Sequence, residues 1–223
     1  MQKIWNNISR RMSEGRMYQI IKDYRDHEAL RQSFDALAQK TFGLSFEDWY
    51  QLGYWSDCYN PHSIFLDGKI VANVSVNQTD LLWDKEVKHL IQLGTVMTEE
   101  AYRHQGLCKC IMEDIFAEWE GRADGFYLWA NNSAVDLYPK FGFVKGREIQ
   151  YQRTVSIQAE PTMRQVPMRT RQNFEQLRRA MQKSRPFGRF ALTGNEGLFL
   201  FYVTKFMQQN VYYSERLNTS AIA

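Results

Sequence analysis

Residues 102–110 read YRHQGLCKC, and three kinds of chemistry compete for them. The first is a phosphate cradle. A strand that opens into a helix presents that helix's first unbonded N–H groups and the positive end of its dipole. Gly106 would let the backbone come close to a ligand, and Arg103 adds a charge able to meet a phosphate. The second is a thiol or metal site at Cys108 and Cys110, and the third is an ordinary turn that starts a helix. Cys-x-Cys with only four histidines elsewhere is a poor zinc pattern, because tetrahedral sites draw ligand pairs at wider spacing; no metal is expected. Two apart on a helix, the thiols diverge and cannot pair with each other. Cys110 reads as a small buried hydrophobe; both thiols read as mostly incidental, with a Cys108 made reactive by the helix dipole as the lesser alternative.

The flanking elements follow from periodicity. MYQIIK (17–22) has the composition of a short strand. From Asp26 to Lys40, Leu30, Phe34, Leu37 and Ala38 fall on one helical face, and a second short helix follows Ser45. HSIFLDGKIVANVSV reads as two strands joined at Asp67-Gly68, a dipeptide that accepts positive φ in a tight hairpin. Residues 87–97 form a nearly continuous apolar run, as in a strand covered on both faces. Gln105 to Glu120 is helical, with Leu107, Ile111, Ile115 and Trp119 inward. A strand at 125–130, a helix from Ser133 to about Lys140 and a strand from Val144 to Arg153 complete an alternating order, so the class is α/β (α+β) with a mixed sheet.

After Ser156 the pattern loosens. IQAEPTMRQVPMRT reads as a linker. A basic helix over 171–183 turns Phe174, Leu177 and Met181 inward, and an aromatic run, GLFLFYVTKF, follows it. NVYYSERLNTSAIA reads as a strand, a turn and the start of another strand. The expected division is a lead over 1–16, a main domain over 17–156, a linker over 157–170 and a smaller α+β extension over 171–223.

About thirty residues beyond the turn, NNSAVDLYPKFGF (131–143) places a tyrosine near the end of a short helix, ahead of a Gly-Phe step into a strand. Together the two segments resemble the GNAT superfamily of N-acetyltransferases over residues 17–153. The loop pattern of that family is Gln or Arg, two residues, Gly, one residue, then Gly or Ala; here it is Arg103-His104-Gln105-Gly106-Leu107-Cys108, with Cys108 departing from the small residue. Asn131, Ala134, Tyr138 and Gly142-Phe143 match the downstream pattern. The resemblance implies a GNAT-like mixed, partly splayed β-sheet flanked by helices. It implies acetyl-CoA as cosubstrate, bound between two parallel strands that end near Met97 and Ala130. Backbone N–H groups from Gln105 to Lys109 would hold the pyrophosphate with Arg103 and His104, the edge Val96-Met97-Thr98 would pair with the pantetheine arm, and Asn131 would line the same site. Tyr138 stands at the position that commonly supplies the proton for the departing thiolate; the plainer alternative is that it only packs beside the cofactor.

No residue announces itself as general base. Glu99 and Glu100 read as solvated residues, and Asp48, Asp57 and His62 qualify only if their loops line the cleft; a water chain is the other option. Trp49, Tyr50, Tyr54 and Trp55 read as core packing, with a wall for the acceptor as the alternative. The composition, 44% hydrophobic and 14% aromatic, supports a packed core. The net charge of +3 is too small to indicate a nucleic-acid binder. The basic excess is local, with eight Lys or Arg against Glu175 alone in residues 161–190; a solvated helix face is the plainest reading, ahead of an acidic protein partner and of RNA. No stretch approaches the roughly 20 apolar residues of a membrane span, and three cysteines form no disulfide framework, which fits the cytoplasm. The C-terminal part resembles the degenerate second half of some bacterial two-part GNAT proteins and is short, so a homodimer that completes it is expected. The functional expectation is transfer of an acetyl group to a primary amine of a small-molecule or peptide acceptor, directly within a ternary complex. The alternative is a non-catalytic CoA- or acyl-CoA-binding module whose basic part contacts a partner.

Overall fold

Asp67 and Gly68 both adopt positive φ (51° and 79°) and fold β3 (Tyr59–Leu66) antiparallel onto β4 (Lys69–Trp83), as the two-residue turn demands. The computed structural model describes residues 8–11, 17–147, 149, 152, 154, 163–185 and 188–222. They divide into two compact units: the first runs to Leu128 and takes in Arg185–Lys205, and the second runs from Trp129 to Ser184 and takes in the chain from Phe206.

In the first unit, β1 (Ile8–Arg11), β2 (Met17–Ile21), β3, β4, β5 (Glu86–Thr98) and β6 (Gly125–Tyr127) lie in sequence order across one sheet. All pairings are antiparallel except the parallel pair β5–β6, so the sheet is mixed and mostly antiparallel. β4 is long enough to serve two neighbours on one edge. β3 accompanies it up to Asn77, and β8 (Phe190–Thr193) takes over from Asp80 to Trp83.

The helices cover opposite faces. α1 (Glu28–Phe42) begins at His27, whose side chain accepts a hydrogen bond from the Leu30 N–H, and ends at Gly43. Its Phe34 lies against Tyr24, and the Tyr24 hydroxyl bonds Ser63 (2.6 Å). The neighbouring His62 instead approaches Asp114 of α3 (Leu107–Trp119). Successive strand residues point to opposite faces, which puts α1 on one side of the sheet and α3 on the other.

On the α1 side, α2 (Glu47–Gln51) and α5 (Glu196–Phe206) bring Phe46, Trp49, Trp55, Tyr59 and Phe201 together with ring centroids 4.8–6.4 Å apart. Trp49 and Trp55 are buried, so this cluster is core. Tyr50 instead lies under the Arg31 guanidinium, 3.7 Å from its ring centre. The Trp49 indole N–H donates to the Gly197 carbonyl (2.9 Å). A Cβ at Gly197 would stand 2.4 Å from the Tyr54 carbonyl oxygen, so only glycine lets α5 approach this closely.

Arg31 is nearly buried on α1 and is held by Glu47 (2.9 Å) and the Arg25 carbonyl (2.9 Å). The Arg31 hydrogen bond pulls the Glu47 carboxyl below its usual range against the opposing effect of burial. A carboxyl lowered by folding contributes stability above its unfolded pKa and loses it as pH falls through the folded value. Denaturant midpoints measured from about pH 6 down to about pH 3 should therefore fall less steeply in Glu47→Gln than in the parent.

Three expectations for the middle of the chain are corrected. The strand expected over 125–130 stops at Tyr127, because its parallel ladder on β5 covers only Leu90 to Gln92. The helix expected over 133–140 is a series of turns leading into a 3₁₀ helix, Tyr138–Phe141. Its hydrogen bonds run from each residue to the third before it, at Ala134, Leu137 and Lys140, since Pro139 removes a donor that an α-helix would need. Of the strand expected over Val144–Arg153, residues 144–147, 149 and 152 are irregular, with Val144 exposed; 148, 150, 151 and 153 lie outside the described residues.

The second unit holds an antiparallel sheet in the order β10 (Thr219–Ile222), β9 (Val211–Ser214), β7 (Arg164–Gln165). α4 (Arg171–Lys183) is capped by Thr170 and buries Phe174 and Leu177. Arg171, Arg179 and Lys183 are exposed, as on a solvated basic face. β7 falls within the stretch expected to be linker.

Candidate functional site

β5 makes the site possible by what its outer edge lacks. Beyond Gln92 that edge has no strand partner among the described residues. On its inner side Ser75 pairs with Gly94 and Asn73 with Met97, so Thr95 and Val96 together oppose Val74. Such a bulge re-aims the strand, and Thr95 carries it at φ 48°.

A buried polar chain on the α1 face pins the bulge. Tyr24 bonds Ser63 (2.6 Å), whose hydroxyl donates to Asn73 Oδ1 (2.7 Å). Asn73 Nδ2 donates to Ser75 Oγ (2.9 Å) and to the Thr95 carbonyl (2.8 Å). Ser75 donates to the Tyr59 hydroxyl (2.8 Å), which meets Thr95 Oγ1 (3.0 Å). Burial raises the pKa of both Tyr24 and Tyr59, so both stay protonated as donors. The sequence reading missed this chain, although its signal was legible: Asn73, Ser75 and Asn77 alternate with Val74 and Val76 along β4, and all three are buried. Tyr59→Phe should lower stability by about 1–3 kcal/mol in denaturant titration, because Ser75 and Thr95 lose a buried partner.

Past Thr98 the chain makes a short 3₁₀ turn, Glu100–Tyr102, and enters α3 through two left-handed residues, His104 (φ 63°) and Gly106 (φ 79°). Gly106 is the N-cap, and no side chain caps the helix. The first N–H to bond back is that of Cys110, to the Gly106 carbonyl (3.0 Å). The amides of Leu107, Cys108 and Lys109 therefore precede the ladder and are available to acceptor oxygens. Nothing lies within 4 Å of where a Gly106 Cβ would stand, which leaves room for a ligand. Arg103 is exposed, and its Nε donates to the Thr98 carbonyl (3.3 Å), tying the charge to the end of β5. Gln105 donates to the Ala101 carbonyl (3.2 Å), and Lys109 pairs with Glu113 (3.7 Å). Met97 and Leu107 are buried, so each offers only backbone.

The cradle residues Val96, Met97, Thr98 and Arg103 to Lys109 thus share the end of β5 and the start of α3. Asn131 and Tyr138 belong to the second unit, where the Tyr138 ring meets Phe143 edge-on (6.1 Å).

Burial pushes the Cys108 thiol up to about 11, so Cys108 is a neutral thiol near neutral pH, in keeping with an incidental thiol rather than the lesser, reactive alternative. The candidate bases are engaged elsewhere. Glu99 pairs with Lys69 (2.7 Å) and Lys40 (3.3 Å), and the Lys69 hydrogen bond holds its carboxyl low. Asp48 pairs with Lys205 (3.0 Å) and Asp57 with Arg25 (2.7 Å). His62 is buried against α3, beside Asp114 and Glu118.

The family model described as an acetyltransferase (GNAT) domain matches residues 60–145. No curated protein matches the chain. Among solved structures, a predicted acetyltransferase with acetyl-CoA from Clostridium acetobutylicum superposes with a TM-score of 0.51 at 14% identity, over 61% of this chain and 96% of that one. A glucosamine-6-phosphate N-acetyltransferase from Arabidopsis thaliana gives a TM-score of 0.47 at 17% identity, over 62% of this chain and 99% of that one. At these identities the first likeness is one of fold. The residues that this model matches carry β4, β5 and the start of α3.

Proposed function

We propose that the protein is an N-acetyltransferase that moves the acetyl group of acetyl-CoA to a primary amine, directly and within a ternary complex. The observation that carries this reading is the uncapped start of α3, where Gly106 and three free-standing amides adjoin the exposed Arg103 and the open edge of β5. A pyrophosphate needs several donors at once, and successive backbone amides supply them without desolvating a lysine. The edge Val96-Met97-Thr98 pairs with the pantetheine amides, as a strand edge pairs with any extended chain.

In the reaction the neutral amine attacks the thioester carbonyl carbon. A C–N bond forms, the C–S bond breaks, and CoA leaves as a thiolate. Tyr138 gives that thiolate its proton, and the proton lost by the amine passes to water, since the carboxylates considered as bases are held in ion pairs. The pinned bulge keeps the β5 backbone fixed beside the carbonyl while charge develops on its oxygen. A homodimer formed through the C-terminal part and a cytoplasmic location belong to the same proposal. The second accords with three free cysteines; among the described residues no helix is long and apolar enough to cross a membrane.

The test is release of free CoA thiol, followed spectroscopically across a panel of primary amines of small-molecule and peptide type. Amine-dependent release supports the enzyme. Tight CoA binding without turnover across the panel would instead identify a CoA-binding module.

A further inference from the structure

On the α3 face of the sheet, remote in sequence from the cradle, a buried imidazole faces two carboxylates. His62 lies on β3 and is fully buried, yet neither of its ring nitrogens has a hydrogen-bond partner. Leaving a buried polar atom unpaired costs about 1–3 kcal/mol, so an orphaned imidazole asks for an occupant. Asp114 Oδ2 is 3.6 Å from His62 Nδ1, and Glu118 Oε2 is 4.0 Å from Nε2. The two carboxylates stand one helical turn apart on α3 and so share a face. One ligand atom from each of the three residues lies within 4.8 Å of the others.

Lys22, which follows β2, presently provides the positive charge, with Nζ 3.2 Å from Asp114 Oδ2 and 2.5 Å from Glu118 Oε2. Lys22 thus sets one positive charge against the two carboxylates of a mostly buried cluster. A divalent ion in place of the ammonium matches both carboxylates.

We propose that His62, Asp114 and Glu118 bind one divalent transition-metal ion of the Zn2+ class, with Lys22 as the competing cation that the metal displaces. The ion binds one ring nitrogen, and tetrahedral coordination at about 2.0 Å separates ligand atoms by about 3.3 Å, so ligand atoms that now lie within 4.8 Å of one another need to close by up to about 1.5 Å. One imidazole with two carboxylates suits Zn2+ better than Mg2+, which keeps octahedral oxygen coordination and much of its water. Lys22 and Glu118 are both partly exposed, so this side gives the ion its entry, and the flexible lysine stem lets the ammonium move out to water. The bound metal would staple α3, whose start forms the cradle, to β3.

The full-length chain, stripped with a chelator, is titrated with Zn2+ and separately with Mg2+ by calorimetry at about neutral pH. The expected result is one Zn2+ per chain and no comparable Mg2+ binding. His62→Ala and Asp114→Asn should each weaken Zn2+ binding by roughly tenfold or more. Lys22→Met, which removes the competing charge and keeps the stem, should tighten it. Circular dichroism confirms that each variant is folded, and Lys22→Met keeps the test decisive if His62→Ala is not. Absence of stoichiometric binding in both the parent and Lys22→Met overturns the proposal. So does binding that survives His62→Ala, which would assign the metal to the thiols.

Discussion

Gly106→Glu is expected to lower acetyl-CoA affinity at least about 100-fold, a loss of about 2.7 kcal/mol, while the chain remains folded. Two effects combine. Gly106 holds φ 79° at the N-cap of α3, a conformation that costs an ordinary residue about 1–2 kcal/mol. The new carboxylate would also stand in the space in front of the amides of Leu107, Cys108 and Lys109 and accept their hydrogen bonds in place of a phosphate oxygen. Because nothing lies within 4 Å of the added Cβ, the substitution creates no clash inside the protein. Gly106→Ala separates the two effects: it should show the stability cost with a much smaller loss of affinity. Calorimetric titration with acetyl-CoA and a denaturant curve on each variant give both numbers. Unchanged affinity in Gly106→Glu would remove the cradle from the proposal.

Tyr138→Phe should act on a different quantity. The substitution keeps the ring that meets Phe143 edge-on and deletes only the hydroxyl. If that hydroxyl protonates the departing thiolate, kcat should fall by about 10²–10⁴-fold, the usual worth of a positioned acid. The dissociation constant for acetyl-CoA should stay within about twofold, because pyrophosphate and pantetheine contacts lie elsewhere. If Tyr138 only packs, phenylalanine packs as well, and turnover should survive. CoA-thiol release at saturating amine, set beside a binding titration, distinguishes the two roles.

Local signals carried much of the fold. The Asp67-Gly68 turn, the amphipathic 171–183 helix and the apolar run of β5 each depend on residues close in sequence, and each appears where periodicity places it. The turn into α3 was legible for the same reason, since its backbone spans only Arg103 to Lys109. What was not legible depends on distant partners. GLFLFYVTKF is rich in aromatics, a composition shared by strands and buried helices; its helical form accompanies the contacts of Phe201 and Gly197 with Phe46 and Trp49. The Tyr24–Ser63–Asn73–Ser75–Tyr59–Thr95 chain needs two strand registers and a bulge before its members meet. The Lys22, His62, Asp114 and Glu118 cluster draws on the end of β2, the middle of β3 and a crossover helix. The burial that raises the Cys108 thiol pKa likewise depends on neighbours that the local sequence does not name.

The strand β8 pairs with β4 across more than a hundred intervening residues, and α5 then supplies Phe201 and the Gly197 carbonyl to the aromatic core. Contacts of such long sequence separation slow folding, because the loop between them must close before it is rewarded. During synthesis the first unit cannot finish when its own sheet strands have emerged. Until residues near 205 leave the ribosome, the second half of β4 has an open edge and Trp49 lacks its acceptor. The fold of the first unit is thus completed late, by a segment that arrives after most of the second unit has been made.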